Sequence, residues 1–281
     1  MKRLVIGCGF LGLPLAKSWQ NAGDEVFATT RSKPRAAEFS DAGLNPIVLD
    51  VTHASSVRQL ATMTFDTVVV AVGMDRSVGD SVHDVYVGGL ENVLQDLHPQ
   101  TGQVIYISST GVFGDFGGDW VDETSPTNPV RDGGKACLAA EHLLQNSRFA
   151  DRATILRMAG LYGNDRVPTK GTIAAKQWSK LSPQGYLNLI HVDDAVSATC
   201  AAAEQKLLNE LLLVADSSPT LRGEYYQFLA DRFGLGAIPW QDHQPDPNSR
   251  GSASKRISNK KLLQRTGLVL KHPDFRSGLQ S

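Results

Sequence analysis

The stretch that most constrains this chain lies at its start. Lys2-Arg3-Leu4-Val5-Ile6, a short apolar run with β-branched members, passes directly into Gly7-Cys8-Gly9-Phe10-Leu11-Gly12, a G-x-G-x-x-G turn. Leu11, Leu15, Ala16 and Trp19 then recur at helical intervals until Gly23. Strand, glycine turn and helix in this order make a phosphate cradle. Gly7 turns the chain sharply out of the strand, Gly9 removes a side chain that would hold a pyrophosphate off the backbone, and Gly12 lets the helix close on the strand. With Phe10 and Leu11 completing the turn, the N–H groups and dipole of the helix start favour an anion. The context between strand and helix makes a dinucleotide the expected ligand rather than leaving a merely structural turn.

Strand patterns then alternate with helix patterns. Glu25–Thr30, Pro46–Leu49, Thr67–Val72, Gln103–Ser108 and Ala153–Leu156 read as successive strands. Val68-Val69-Val70-Ala71-Val72 is apolar without a break, which means burial on both faces and hence a parallel sheet between helices. The expected architecture is α/β, a doubly wound parallel sheet with ligands beyond the carboxyl ends of its strands. After Arg157 the pattern loosens. Ala174–Lys180, Val192–Gln205 and Leu221–Phe233 read as helices, Leu211–Ala215 as a strand, and Gly236–Ser254 as a long loop. We therefore expect a nucleotide-binding domain over 1–165 and a smaller C-terminal substrate lobe over 166–281, part of which returns to the sheet.

Composition narrows the partners. At 281 residues and 41% hydrophobic the chain can bury a substantial core, and a formal net charge of -1 supplies no field for nucleic acid or an anionic membrane. No run approaches the ~18–20 apolar residues of a membrane helix. The apolar N-terminal run breaks at Gly7 without a cleavage-like site, and three scattered cysteines, Cys8, Cys137 and Cys200, suit a reducing compartment. The expectation is a cytoplasmic protein acting on a small molecule.

The end of the second strand reads Thr29-Thr30-Arg31-Ser32-Lys33-Pro34-Arg35. An acid there would accept from an adenosine ribose and repel a 2′-phosphate, but none is present. Arg31 is suited to fork onto a phosphate and Ser32 to donate to it, so NADP is preferred over NAD. Asp50 and Val51 at the end of the third strand are expected to meet adenine, the acid accepting from the exocyclic amine; capping of a helix beginning near Ala54 is its other reading. Val72 and Gly73 end the fourth strand on the adenosine side.

These stretches, together with Ile107-Ser108-Ser109-Thr110-Gly111-Val112-Phe113-Gly114, Asp122-Glu123-Thr124-Ser125-Pro126, Leu156-Arg157-Met158-Ala159-Gly160-Leu161-Tyr162-Gly163 and Leu189-Ile190-His191-Val192-Asp193-Asp194-Ala195, resemble the extended short-chain dehydrogenase/reductases of the NAD(P)-dependent epimerase/dehydratase type. The whole pattern is similar to the atypical, YeeZ-like bacterial members. The resemblance implies a Rossmann fold and an oxidoreductase or epimerase/dehydratase acting on a carbonyl or hydroxyl group, with a nucleotide sugar as one candidate substrate. It also raises a homodimer, paired through Val82–Leu97 and Lys135–Asn146.

In that family a Ser or Thr holds the substrate oxygen, a Tyr moves the proton, and a Lys four residues on lowers the phenol's pKa. Ser109 matches the first position, with Thr110 beside it at the substrate. The pair does not match. One register puts Gly133 and Cys137 at the Tyr and Lys positions, the other Arg131 and Lys135. Neither supplies a phenol, although general acid–base help contributes about 10²–10⁴-fold. Tyr86, where the family has a structural Asn, is the expected replacement, with packing between helix and sheet as its bland alternative. His191 reads as a substrate contact or a core histidine, and Arg222, with Arg157, Arg166 and Lys170, as a basic residue of the substrate half. Trp120, Trp178 and Trp240 read as cleft or packing residues.

No metal is expected. In His191-Val192-Asp193-Asp194 adjacent residues seldom point at one ion, and no H-E-x-x-H or paired-cysteine spacing accompanies them. The lost Tyr and Lys leave a second reading open, a non-catalytic NADP-binding redox sensor or regulator.

Overall fold

A computed structural model of the protein describes residues 1–75, 79–240 and 253–280. Among them, seven parallel strands form one sheet: β1 Lys2–Ile6, β2 Glu25–Thr30, β3 Asn45–Val48, β4 Thr67–Val70, β5 Gln103–Ser109, β6 Ala153–Met158 and β7 Glu210–Val214. Their spatial order is β7-β6-β5-β4-β1-β2-β3. The chain winds one way from β1 to β3 and the other way from β4 onward, so the strand order reverses between β1 and β4, where such folds hold their ligands.

Alternation along each strand sends side chains to two cores. Val5, Val69 and Ile105 face α1 (Gly12–Asn21), while Leu4, Ile6, Val68, Val70 and Val104 face the opposite layer. In chain order the other main helices are α2 Lys33–Asp41, α3 Gly89–Asp96, α4 Asp132–Gln145, α5 Val192–Glu204 and α6 Arg222–Arg232. Leu15, Trp19, Ala198 and Ala202 of α1 and α5 pack in the first core, Val93, Leu94, Ala140 and Leu144 of α3 and α4 in the second. Arg3 is buried in β1 because its Nε donates to Asp24 Oδ2 at 3.0 Å and its Nη1 to Thr67 Oγ1 at 2.6 Å.

The lobe has a third core of Tyr162, Leu189, Tyr225, Leu229 and Phe275. Two short pairings frame it, Gly160–Tyr162 with Leu189–His191 and Tyr186–Leu187 with Thr220–Leu221, while a third, Trp120–Val121 with Arg256–Ile257, packs Val121 and Ile257 into the first core. The expected helix at Ala174–Lys180 is displaced. The helix is Lys170–Ala174, Lys176 takes φ +54°, which no helix accommodates, and a single tight turn follows at Trp178–Lys180. The fourth strand stops at Val70, with Ala71 N–H still donating to the Ile6 carbonyl at 2.7 Å, and Ala71–Gly73 reach the cavities at the sheet's carboxyl edge. Most of the loop expected over Gly236–Ser254 lies outside the described residues.

A buried acid makes stability pH-dependent. Burial first, then repulsion from Asp274 and Asp194, pushes the Asp216 carboxyl up to about 8 despite a hydrogen bond from Ser218 N–H. Its folded pKa exceeds its unfolded one, so the stability it contributes is full below about pH 4 and is lost as pH rises toward 8. Asp216→Asn is therefore expected to raise the melting temperature at pH 8.5 by several degrees, with the gain vanishing near pH 4. Thermal denaturation across that range tests this, and an equal shift at both ends would sink it.

Candidate active site

Two cavities meet over the glycine turn, sharing Gly9, Val72 and Gly73. The first, about 680 Å³, is lined by Gly7, Arg31, Ser32, Asp50, Val51 and Asp75 among others. Gly7 has φ +94°, and a Cβ there would sit 2.6 Å from the Ala71 carbonyl oxygen. A Cβ on Gly12 would collide with the Gly7 carbonyl, whereas one on Gly9 would meet nothing within 4 Å. The first and third glycines thus serve packing, and the second leaves open space over the turn. Gly7 N–H donates to Thr29 Oγ1 at 3.0 Å, so β2 buttresses the turn.

Asp50 does not cap the helix after it. Its Oδ1 accepts from Thr52 N–H at 3.0 Å and Thr52 Oγ1 at 2.8 Å. Burial opposes its charge, but these hydrogen bonds and the charges of His53 and Arg31 outweigh burial and hold the carboxyl below its ordinary range. Val51 packs its side chain on Gly89 of α3 and lines the cavity. Ser32 caps α2, its hydroxyl accepting from Arg35 N–H at 3.4 Å. Arg31 Nη2 reaches Asp75 Oδ2 at 2.7 Å, both side chains being nearly half exposed. Arg35 folds back over the turn and donates to the Cys8 carbonyl at 2.6 Å. The sequence pattern marked the basic stretch but not this contact.

The second cavity, about 920 Å³, contains Phe10, Leu11, Tyr86, Ser109 and Thr110. Tyr86 enters it because the predicted helix Val82–Leu97 is not uniform: Asp84–Gly88 forms a wide π-type turn before α3, a device that re-aims side chains and recurs at functional sites. Ser109 Oγ accepts from Gly111 N–H at 3.0 Å. Cationic side chains Arg131, Arg166, Lys180, Arg222 and Lys255 line the same space, and no carboxylate does among the described residues. Arg166 stacks on Phe10 at 5.3 Å, and Arg222 is held by the carbonyls of Gln184 at 2.7 Å and Ala253 at 2.5 Å. Lys255 Nζ donates to the Gly114 carbonyl at 2.9 Å. Burial, then the charge of Arg222, lowers that ammonium to about 8. Lys255 escaped sequence reading because it stands in no motif and returns to the site from far along the chain.

Of the two registers for the family Tyr and Lys, one brings Cys137 and the other Arg131 to the cavity wall, Cys137 standing beside Tyr106. Burial, then the charge of Glu141, pushes the Cys137 thiol up to about 11, so it stays neutral and does not stand in for an ammonium. Burial likewise holds the Tyr106 phenol well above its ordinary value. Arg157 lies beneath the cavity instead of lining it. Its Nε and Nη2 fork onto Glu141 at 3.0 and 2.7 Å, and Ser108 Oγ donates to the same carboxylate at 2.5 Å.

His191 and Lys170 also stand apart from the lining. The His191 Nδ1 accepts from Asp193 N–H at 3.2 Å as the cap of α5, and its ring packs against His272 at 3.9 Å between centroids. Trp120 stacks with Arg256 at 5.1 Å, Trp178 packs on the lobe core, and Trp240 lies 6.1 Å from the Tyr226 ring.

A doubly wound sheet with a glycine turn at the strand-order reversal is the architecture of dinucleotide-binding proteins, and a second cavity adjoins the turn here. Residues 3–214 match the model of the NAD dependent epimerase/dehydratase family, and the chain belongs to that family. It is 29% identical to Protein YeeZ of Escherichia coli (strain K12) over 98% of this chain and 97% of that one. A solved structure from Methylobacillus flagellatus, provisionally assigned as an NAD-dependent epimerase/dehydratase, is 28% identical with a TM-score of 0.81, covering 99% of this chain and 96% of its own. The fold also matches UDP-glucose 4-epimerase of Thermus thermophilus in complex with NAD, at 21% identity and a TM-score of 0.79, over 100% and 97% of the two chains. No helix among the described residues is long and apolar enough to cross a membrane.

Proposed function

We propose that the protein binds NADP in preference to NAD and acts on a carbonyl or hydroxyl carbon of an anionic small molecule, with nucleotide sugars the leading class. The observation that carries this reading is the pair of joined cavities, one built on the glycine turn and the other lined by Ser109 and cationic side chains without a carboxylate among the described residues. The open space at Gly9 fits a pyrophosphate, and Asp50, Val51 and Arg31 fit an adenosine with its 2′-phosphate. A nicotinamide bound beyond Gly9 supplies hydride chemistry. Ser109 orients the substrate oxygen. Tyr86, Lys255, a water or a substrate group moves the proton, and the cationic wall holds the anionic portion.

The Arg31–Asp75 pair does not oppose NADP. Exposed ion pairs contribute about 0–1 kcal/mol, so a phosphate dianion competes well for the guanidinium. Arg31→Ala is expected to weaken NADP binding by about 10–100-fold while NAD affinity changes by about 2-fold or less. Calorimetry on both coenzymes tests this, and wild-type protein that binds NAD more tightly than NADP refutes the preference.

The second reading, a non-catalytic NADP-binding regulator, draws on the missing phenol, absent both where Gly133 and Cys137 and where Arg131 and Lys135 take the places of the acid/base pair. Absorbance of NADPH followed with a panel of nucleotide sugars and carbonyl compounds separates the two. The enzymatic reading expects turnover that falls on the order of 100-fold in Ser109→Ala and at least tenfold in Tyr86→Phe. Tight NADPH binding with no turnover across that panel favours the regulator.

A further inference from the structure

Outside the cavities, three side chains from two distant stretches converge on one spot. His191 ends the short strand Leu189–His191, Asp193 stands in the first turn of α5, and His272 arrives on the C-terminal segment. His272 is placed by its backbone: the Asp194 carboxylate accepts from the N–H groups of Lys271 and His272, each at 2.8 Å. His272 Nε2 lies 3.7 Å and His191 Nδ1 3.8 Å from Asp193 Oδ2, and one donor atom of each residue lies within 4.8 Å of the other two. The imidazoles are 5% and 4% exposed, yet His272 Nε2 has no hydrogen-bond partner. A buried nitrogen with a lone pair or proton and nothing to receive it is costly, and this one faces a carboxylate. Asp193 is half exposed, which gives the cluster a route to solvent.

We propose that His191, Asp193 and His272 form a binding site for a divalent transition-metal ion of the zinc type, which clamps the C-terminal segment to the start of α5. Two imidazoles and a carboxylate suit such an ion, with water completing its shell. Ligands at ~2.0–2.1 Å on a tetrahedral ion stand about 3.4 Å apart, so the two imidazole–carboxylate separations close by a few tenths of an ångström, and the imidazole–imidazole separation, within 4.8 Å, closes by at most about 1.4 Å. The Asp194 carboxylate, hydrogen-bonded to the backbone of Lys271 and His272, adds negative charge beside the cluster. Tyr162 meets the His191 ring edge-on at 5.1 Å and fixes its plane. Binding gives up the long 3.2 Å contact from Asp193 N–H to His191 and displaces Lys271 Nζ, now 3.2 Å from Asp193 Oδ2 on a mostly exposed side chain.

The test is a titration of chelator-stripped protein with Zn²⁺ against a chromogenic indicator. One ion per chain is expected, with a dissociation constant below about 10 µM. His272→Gln and the half-exposed Asp193→Asn should each weaken binding at least tenfold, whereas Lys271→Ala should strengthen it about threefold by removing the competing ammonium. Co²⁺ in the same site should give visible d–d bands without thiolate-to-cobalt charge transfer. Failure of the wild type to bind, affinity unchanged in both His272→Gln and Asp193→Asn, or a thiolate band pointing to the cysteines would each overturn the proposal.

Discussion

Glu141→Ala is expected to cost the fold about 3–5 kcal/mol, lowering the melting temperature by about 10 °C. Glu141 and Arg157 are 1% and 5% exposed, so water cannot take over the role of the lost carboxylate. Arg157 would keep its charge with both hydrogen-bonded edges stripped, and Ser108 would lose its 2.5 Å acceptor. The large figure is the cost of leaving one buried charge alone, not the net worth of the pair. Glu141→Leu combined with Arg157→Met should therefore recover most of the loss, since the Arg157 guanidinium packs 4.9 Å over the Phe113 ring and an apolar chain can fill that slot. Chemical denaturation of both singles and the double measures this. A double variant as unstable as the sum of its parts would mean the two side chains are not coupled and would overturn the account of a stranded charge.

Gly7→Ala is expected to raise the cofactor dissociation constant by on the order of 100-fold, about 2.7 kcal/mol. A left-handed backbone costs a non-glycine residue ~1–2 kcal/mol, and here the new methyl meets the Ala71 carbonyl and Val72 nitrogen at 2.6 and 2.7 Å, atoms of the backbone that cannot swing aside. The turn must open, and with it the amide cradle. Gly9→Ala separates this from steric exclusion of the ligand. Its Cβ meets no protein atom within 4 Å, so stability should be kept while coenzyme affinity falls. Denaturation and coenzyme titration on the two variants together check the assignment of roles. Full coenzyme affinity in Gly9→Ala would remove the pyrophosphate from that turn.

The two variants fall on the part of the molecule that sequence made most legible. Contiguous features, such as the apolar runs of β1 and β4 and the helix behind the turn, announce themselves because periodicity and turn chemistry are local. Ser109 and Tyr86, both singled out by motif position, line one cavity, although the π-type turn that swings Tyr86 inward leaves no compositional trace. What stayed hidden depends on separation along the chain. Glu141 converts Arg157 from an apparent substrate residue into half of a buried pair, and nothing near Arg157 in sequence signals it. His272 completes the cluster with His191 and Asp193 across some eighty residues, beyond the reach of any spacing rule. The displaced helix near Lys170 is a different failure. Ala174–Lys180 has helical propensity, but Lys176 stands left-handed just past the helix end, where its N–H and that of Gln177 bond back to the Ile173 and Thr172 carbonyls and close the last turn, and this local cap prevails over a weak propensity.

Because β7 enters the sheet only after the chain has built α5, the coenzyme half is not a contiguous module. Ending the chain at residue 165 strips the outer neighbour from β6, all six of whose residues are buried, and leaves a long apolar edge open to pairing with other chains. Exchange of the lobe between relatives therefore has to take the segment between β6 and β7 together with the chain after β7, with both strands retained, and a simple fusion at residue 165 would leave that edge exposed.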